Sequence, residues 1–402
     1  MATTTAAQRE RITSAGSRNY SEAAERRTWR LFGLIAIMVA MWLGFNHITG
    51  GAFLTPRNLT NLTVQASITG IVAIGVGVLL IARELDLSVG SILGAVVVFT
   101  AWAQVQERWS ALPAILAALA IGAATGLFQG LCTTKLRVPS FIVTLAGFSY
   151  LRGVAYGITG SVTLFGLSNG VIWFSEGTFS KAVTIVALLA VFLALALAWL
   201  WQRWLHYQGQ GFRRLTRSVR PVEIASWVLG AALCAFALWI YSAFQGLPAP
   251  VAILIVVALV TAFVARHTAF GRHVYAIGGN PEAARRAGIK VDRVVVVLFV
   301  ASGTLAALGG IIQAARLGAG PPNVGLLLAL DAISAAVVGG TYLFGGQGRI
   351  SGILVGTLFL ASIQNGLNLR GVSTFWQYIV SGVVLLAAVA IEQVTQLRAQ
   401  RD

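Results

Sequence analysis

Charged side chains are scarce in this sequence, and acidic ones are the scarcest. Of 402 residues only 10% are charged, with 13 acidic and 29 basic side chains and a formal net charge of +16. An average soluble domain has about 25% charged residues, so this chain lacks the polar surface of such a protein. With two cysteines and four histidines, it has neither a disulfide framework nor the ligand spacing of a metal site.

Nucleotide-binding and catalytic motifs are absent as well. The only lysines are Lys135, Lys181 and Lys290, and none has the glycine spacing of a GxxxxGK[ST] phosphate loop. We therefore expect no catalytic residue, metal or cofactor to be held by this chain. Basic residues that flank membrane spans and face anionic lipid explain the positive charge, so membrane lipid is an expected partner and nucleic acid is not.

What the sequence does contain is long apolar runs. The chain is 57% hydrophobic with a mean hydropathy of +0.80. Runs of about 17 to 23 residues suffice for a helix to cross the hydrocarbon core, so we predict an all-α, polytopic transmembrane bundle of about 10–12 spans. The third, fifth and tenth contain glycine and polar residues and are candidates for re-entrant segments. The spans are predicted near residues 31–48, 62–82, 87–105, 112–134, 141–160, 181–201, 222–243, 249–265, 294–316, 326–344, 350–368 and 374–394.

The basic residues give these spans an orientation. Most of the 29 fall on one side of the predicted bundle, which by the positive-inside rule is cytoplasmic, and both chain termini lie there. The predicted organisation is a cytoplasmic polar tail over 1–30 and a transmembrane domain over 31–397. A charged segment, residues 265–293, interrupts the apolar pattern and is predicted to be a cytoplasmic loop.

Glycines repeat at four-residue spacing in several spans, which allows neighbouring helix backbones to approach closely. Two of these glycine pairs belong to stretches that align without gaps, 76–96 and 338–358, and this alignment suggests a parallel internal repeat. The aligned glycines are Gly77 with Gly339, Gly90 with Gly352, and Gly94 with Gly356; a further series is Gly122, Gly126 and Gly130.

The charged loop contains a short helix with marked ends, in GGNPEAARRAG. Asn280 suits the amino-terminal cap, and Gly288 suits the left-handed turn that ends a helix. The residues between them suit the first and last turns, so the sequence predicts a helix from Pro281 to Ala287. By itself this pattern fits a docking helix and a solvated connector equally well. The residues concerned are Asn280, Pro281, Glu282, Arg285, Arg286 and Gly288.

A few ionisable residues lie in or beside the spans. Glu84, Asp86 and Ser88 form a predicted inner turn or gate, where Asp86 is expected to cap the helix that begins near Leu87. Arg152 and Asp331 fall within apolar segments and are expected to face the bundle interior, to pair, or to lie near an interface. For Asp331 the alternative to a functional role is a structural one, in which its side chain caps a helix.

Several segments resemble a known family. EAARRAG fits the EAAxxxG pattern by which permeases of ABC importers engage their ATPase. Four stretches from Phe53 to Ile391 resemble the sugar-permease branch of that class, and this resemblance favours docking over a connector. In chain order they are RELDLSVGSILG, GRHVYAIGGNPEAARRAGI, LDAISAAVVGGTYLFGGQGRISGILVG and STFWQYIV.

Within that branch the chain is most similar to xylose-type permeases. The similarity rests on ARELDLSVGS, on FWQYIV and on an extra segment over residues 204–250 that holds a basic loop and one additional pair of crossings. Arg83 replaces a small residue usual in the first motif, and Arg349 is a second departure from the pattern. Both departures concern the inner gate.

The resemblance implies a type II ABC importer permease, in the inner or plasma membrane of a prokaryote, that translocates a monosaccharide such as xylose or a related pentose. The implied partners are a second permease copy, a cytoplasmic ABC ATPase that uses ATP and Mg, and a periplasmic or surface-tethered sugar-binding protein. The implied ATPase-docking residues are Gly279, Asn280, Pro281, Glu282, Ala283, Ala284, Arg285, Arg286 and Gly288.

A sugar path is predicted only from neutral polar side chains, which suit an uncharged polyol but equally suit hydrogen bonds between helices. The alternative function is a proton- or ion-coupled secondary sugar transporter, which would need carboxylates or histidines deep in the membrane; only Asp331 qualifies. A third possible function is that of a passive channel or a membrane scaffold, in which the charged loop would only connect two spans. The candidate path residues are Asn61, Gln65, Thr144, Ser149, Asn323, Gln364, Asn365 and Asn368.

Overall fold

The structure, a computed structural model, describes residues 31–208 and 221–399. The predicted tail over 1–30, and residues 209–220 of the predicted extra segment, lie outside the described residues. The described helices are α1 Leu31–Ile48, α2 Pro56–Ile81, α3 Val89–Val105, α4 Ala111–Lys135, α5 Ser140–Thr159, α6 Asn169–Glu176, α7 Lys181–Gln208, α8 Pro221–Ala243, α9 Ala249–His267, α10 Ala269–Gly279, α11 Pro281–Arg286, α12 Val291–Leu317, α13 Leu328–Val338, α14 Ile350–Leu369 and α15 Thr374–Ala399.

Extended structure in the described part of the chain is limited to two short antiparallel pairs. Strand β1, Leu164–Phe165, pairs with β4, Ala319–Gly320, and β2, Thr178–Phe179, pairs with β3, Leu247–Pro248. Each pair joins loops that are distant in sequence. The strands therefore fasten connections between helices and leave the architecture entirely helical.

The prediction of a polytopic helical bundle is confirmed, because each of the twelve predicted spans contains a helix. Seven helices of the described chain are long and apolar enough to cross a membrane: α1, α2, α4, α5, α9, α12 and α14. The chain is a multi-pass membrane protein. Of the segments predicted to be interrupted, the third and fifth form the continuous helices α3 and α5.

The tenth predicted span, which the sequence also marks as a candidate re-entrant segment, is not a full crossing. Helix α13 has only 11 residues, so it is about 16 Å long, half the thickness of the hydrocarbon core. Non-helical segments flank it at 318–327 and 339–349. Gly318, Gly325 and Gly340 have positive φ angles of 59°, 81° and 85°, a conformation that favours glycine and lets the backbone turn at these points.

Close packing at the predicted glycines is confirmed. On α4, a Cβ atom at Gly122 or Gly126 would overlap the backbone of Gly303 or Phe299 on α12. Gly130 faces the same helix, where a Cβ atom would lie only 2.9 Å from Val296 Cα. Helices α4 and α12 therefore touch along their backbones, as the four-residue glycine spacing predicts.

Helices α2 and α12 form the centre of the bundle and run in opposite directions. The end of α2, at Ile81, shares an apolar cluster with Val291 at the start of α12, whereas Val72 lies against Gly309 further along. We call the side where α2 ends and α12 begins the near side, and the opposite side the far side. Helices α10 and α11 lie on the near side, against this same cluster.

The packing shows an internal repeat other than the predicted parallel one. Gly90 and Gly352 do occupy similar positions at the starts of α3 and α14, but Gly77 lies inside α2 whereas Gly339 caps the end of α13. Instead, α13 and α14 pack on α2 as α3 and α4 pack on α12. Because α2 and α12 are antiparallel, the repeat relates α2–α5 to α12–α15 with inverted direction.

Candidate functional site

Helix α11 has the end structure that its sequence predicts, although it stops at Arg286, one residue early. The Asn280 side chain accepts a hydrogen bond from the Ala283 amide at 3.0 Å, and Pro281 occupies the first turn. Gly288 has a φ angle of 84°, the left-handed exit. Capping at both ends holds a helix that is too short to be stable in isolation.

One face of α11 is exposed, and the other is anchored on the bundle. Glu282, Ala283 and Arg286 are exposed, whereas Ala284 is buried in the cluster formed by the ends of α2 and α10 and the start of α12. Ala284 is one of the implied ATPase-docking residues, but in this structure it fixes α11 to its own bundle. Arg285 is likewise engaged, through an ion pair of 3.1 Å with Asp292 on α12.

The end of α10, immediately before α11, lies in a tight junction with two other backbones. This near-side junction comprises residues 81–83, 275–279 and 345–348. A Cβ atom at Gly278 would overlap the Ile81 carbonyl oxygen and the Gly346 amide nitrogen. The Gly346 amide donates to the same Ile81 carbonyl at 2.8 Å, so the three segments meet without intervening side chains.

Two side chains close the near-side junction. The Arg83 guanidinium donates to the Gly279 carbonyl at 3.0 Å, and the Tyr275 hydroxyl donates to the Gly348 carbonyl at 2.9 Å. Arg83 itself has a φ angle of 67°, a strained conformation for a residue other than glycine. These bonds connect the segment that holds α11 to the end of α2 and to the turn before α14.

The predicted inner turn, residues 82–88, is held by a buried hydrogen-bond network. Asp86 is 1% exposed; it accepts from the Ser88 amide at 2.9 Å, from the Ser88 hydroxyl at 2.7 Å and from Ser302 on α12 at 3.2 Å. Asp86 thus holds Ser88, the residue before α3 begins at Val89, and its predicted capping role stays a prediction. Burial raises the pKa of Asp86, and also that of Glu84 in the same turn.

A cavity of about 340 Å³ opens among α12, α13, α14 and α15. Its walls combine apolar residues with four amide side chains and one carboxylate, Asp331, in the first turn of α13. Gln364 on α14 donates a long hydrogen bond of 3.4 Å to Asp331. We call this the far-side cavity, because it lies next to the connection between α14 and α15. Its polar lining residues are Gln313, Asn323, Asp331, Gln364, Gln377, Tyr378 and Ser381.

Only two of the eight predicted path residues, Asn323 and Gln364, line the far-side cavity. Asn365 instead exchanges two hydrogen bonds with Asn58 on α2, at 2.9 and 3.1 Å, which joins two helices. Asn368 accepts from Gln377 at 2.7 Å beside the cavity rim.

The remaining four predicted path residues lie on α2 and α5, away from the cavity. Thr144 is buried and donates to the Ser140 carbonyl of its own helix at 2.9 Å, and the exposed Ser149 donates to the Leu145 carbonyl. Asn61 is exposed on α2 and Gln65 is half-buried there. Of the predicted path, only Asn323 and Gln364 therefore lie together at the cavity, and the other residues lie elsewhere on the helices.

Asp331 is the main functional candidate that sequence reasoning undervalued. Its hydrogen-bond partner among the described residues is Gln364, and its side chain faces a cavity; the capping alternative stays a prediction. A carboxylate inside an apolar segment was the available signal, because such residues are costly unless they serve a function. Nothing in the sequence indicated that Gln313 and Gln377 would meet it.

Arg152 is confirmed as a residue that faces the bundle interior. From α5 it donates to the Pro322 carbonyl at 3.0 Å and to the Val324 carbonyl at 2.8 Å. Both carbonyls belong to the segment 318–327, which also carries Asn323 to the cavity. Arg152 therefore supports one wall of the far-side cavity.

Comparison with known proteins gives the chain relatives along nearly its whole length. It is 40% identical to the xylose transport system permease protein of Haemophilus influenzae over 89% of this chain and 94% of that protein. It is 38% identical to the protein of the same name from Escherichia coli K12, over 92% and 93%, and 35% identical to the ribose import permease protein of that strain, over 86% and 88%. No solved structure gives a significant match.

A family model matches two stretches, residues 58–205 and 235–389. Its description is "Branched-chain amino acid transport system / permease component", and the two stretches cover nearly all of α2–α5 and most of α12–α15. The relatives are transport components rather than enzymes. The chain belongs to this family of membrane permeases.

Proposed function

We propose that the chain is the membrane-spanning subunit of an ATP-driven importer that takes up a monosaccharide, xylose or a related pentose. The observation that carries the proposal is helix α11. It is capped at both ends, it exposes Glu282 and Ala283, and its buried face rests on the end of α2. A helix so defined and so attached suits a protein partner that pushes on the bundle.

The partner at α11 is a cytoplasmic ABC ATPase, which binds the ATP and Mg that this chain does not. Glu282, Ala283, Arg286 and Gly288 form the exposed docking surface, with Asn280 and Pro281 fixing its shape. By the positive-inside rule, the basic residues around the charged loop support a cytoplasmic position for this side and, in this proposal, for both termini. An acidic cleft on the ATPase would complement Arg286.

The near-side junction is the route by which docking reaches the sugar path. It joins α10 to the end of α2 and to the turn before α14, and the same two helices carry Ile68 and Gln364 to the far-side cavity. A helix transmits displacement along its length because its hydrogen bonds hold it rigid. Movement of α11 would therefore alter the cavity walls through α2 and α14.

The remaining partners follow from the far-side cavity and the apolar surface. A sugar-binding protein delivers the sugar at the far side, outside the cell. The exposed side chains of Leu326 and Tyr378 leave the cavity open on one flank, and a second copy of the chain closes it in a homodimer. Membrane lipid covers the rest of the apolar surface. The choice of a pentose rests on the relatives named for xylose and ribose.

Replacing Glu282 by arginine tests the proposal. Glu282→Arg inverts an exposed charge without disturbing the core, so we expect normal insertion and loss of ATP-dependent sugar uptake. Glu107→Arg is the matched control, since Glu107 is also an exposed carboxylate but follows α3 on the far side. Uptake at the parental rate by Glu282→Arg, with the ATPase still bound, would refute the docking assignment.

A proton-coupled secondary transporter is the second candidate, because Asp331 is a carboxylate placed in a cavity within the membrane domain. Such a transporter would move sugar without an ATPase and would stop when the proton gradient is removed. Copurification separates the two functions, since only the importer holds a stable ATPase subunit.

A further inference from the structure

We infer that the far-side cavity is a transient monosaccharide site in which Asp331 accepts hydrogen bonds from two neighbouring ring hydroxyls. This inference rests on the proposed function, for which it identifies the residues that meet the sugar and the class of sugar they accept. It keeps two residues of the predicted path, Asn323 and Gln364, and adds Asp331, which that path omitted.

The size and lining of the cavity suit one small polyol. A volume of about 340 Å³ lies at the lower end of the range of about 300–1,000 Å³ for small-molecule sites. Amide side chains from four elements converge there: Gln313 from α12, Asn323 from the segment 318–327, Gln364 from α14 and Gln377 from α15. Amides offer both donors and acceptors, as sugar hydroxyls do.

Asp331 can accept further hydrogen bonds from a ligand, because its present partner uses only part of its capacity as an acceptor. A carboxylate has two oxygens and can accept several hydrogen bonds, and the one bond to Asp331 within the described residues is the long contact from Gln364. The first turn of α13 also favours negative charge there. Two adjacent hydroxyls of a sugar ring match the two oxygens of one carboxylate, and such charge-assisted bonds are stronger than neutral ones.

The other contacts fix the floor and the rim of the site. Ile68 and Leu93 are apolar and lie at the inner wall, and Tyr378 contributes an aromatic ring at the exposed rim. The Gln377 amide nitrogen already donates to Asn368 and to the Val372 carbonyl, so this side chain would meet a ligand through its amide oxygen, as an acceptor. Within the described part of the chain no residue that lines the cavity is basic, so the site accepts uncharged sugars and repels sugar acids.

The inference is tested by direct binding to the full-length chain in lipid nanodiscs, with saturation-transfer NMR and with xylose and glucuronate as probes. In the parental chain xylose should bind weakly and glucuronate should not bind. In Asp331→Asn the affinity for xylose should fall at least about tenfold, and glucuronate binding should become detectable because the repelling charge is gone. Glu107→Gln, an exposed carboxamide change on the same side, should alter neither result.

Three outcomes would overturn the site: no xylose binding by the parental chain up to its solubility, equal binding of both probes by the parental chain, or unchanged xylose affinity in Asp331→Asn. The first two need no variant, so they hold even if Asp331→Asn does not fold. ATP-dependent uptake by the complete complex is measured separately. Uptake without binding at this cavity removes the site alone, whereas binding without ATP-dependent uptake refutes the proposed function.

Discussion

Replacing Gly278 by alanine tests whether the near-side junction connects the docking helix to the transmembrane domain. The added Cβ would overlap the Ile81 carbonyl oxygen and the Gly346 nitrogen and would lie 2.9 Å from the Ile81 carbonyl carbon. All three atoms are backbone, so no side chain can rotate away. Overpacking of this kind costs about 1–3 kcal/mol, and separation of the segments also weakens the Gly346 hydrogen bond, worth about 0.5–1.5 kcal/mol.

Gly279→Ala is the matched control, because a Cβ atom at Gly279 would meet nothing within 4 Å. We expect the melting temperature of the purified permease to fall by several degrees for Gly278→Ala, while the free energy change for Gly279→Ala stays within about 0.5 kcal/mol. In the reconstituted complex, Gly278→Ala should still bind the ATPase but should hydrolyse ATP without matching uptake. Equal melting temperatures and equal uptake in the two variants would refute the role given to the junction.

Two further predictions concern helix packing and capping. Gly126→Val should prevent close contact of α4 with α12, because the valine side chain would overlap the backbone of Phe299. We therefore expect little folded protein on size-exclusion chromatography. Gly153→Ala, on α5 where a Cβ atom meets nothing within 4 Å, should express normally. Asn280→Ala should remove the cap on α11 at a cost of about 0.5–2 kcal/mol, and amide hydrogen exchange at residues 282–286 should increase. Asn280→Asp should retain protection, and equal exchange in both variants would contradict the cap.

The parts of the fold that depend on local sequence could be predicted. Helix α11 is defined by Asn280, Pro281 and Gly288 within nine consecutive residues, so its ends follow from capping preferences alone. The twelve apolar segments likewise follow from hydropathy, because a run long enough to span lipid is a property of the run itself. The spacing of Gly122 and Gly126 predicted a packing face on α4, because residues four apart lie on the same side of a helix.

Features that depend on contacts between distant segments could not be predicted. The short helix α13 and its flanking loops form an apolar stretch whose hydropathy resembles a full span, and only packing against α2 and α14 determines where it turns. The burial of Ala284 depends on how α11 sits on the bundle. Asn365 and Gln364 are both neutral amides in the same apolar segment, so the sequence does not distinguish them. Only the fold shows that Asn365 pairs with Asn58, 307 residues away.

The inverted repeat illustrates the same difference. Matching glycines suggested that 76–96 corresponds to 338–358, because glycine spacing records how closely helices pack but not which helices pack together. The relation between α2–α5 and α12–α15 is a matter of which helices pack together. Only the antiparallel pairing of α2 with α12 reveals it.

The central claim is that this permease is driven by ATP through the exposed face of α11. It is tested most directly by uptake of labelled xylose into proteoliposomes that contain the chain, its ATPase and its binding protein. We predict accumulation that requires ATP on the side of α11, persists without a proton gradient and is lost in Glu282→Arg but not in Glu107→Arg. Accumulation driven by a proton gradient in the absence of ATP would contradict the claim.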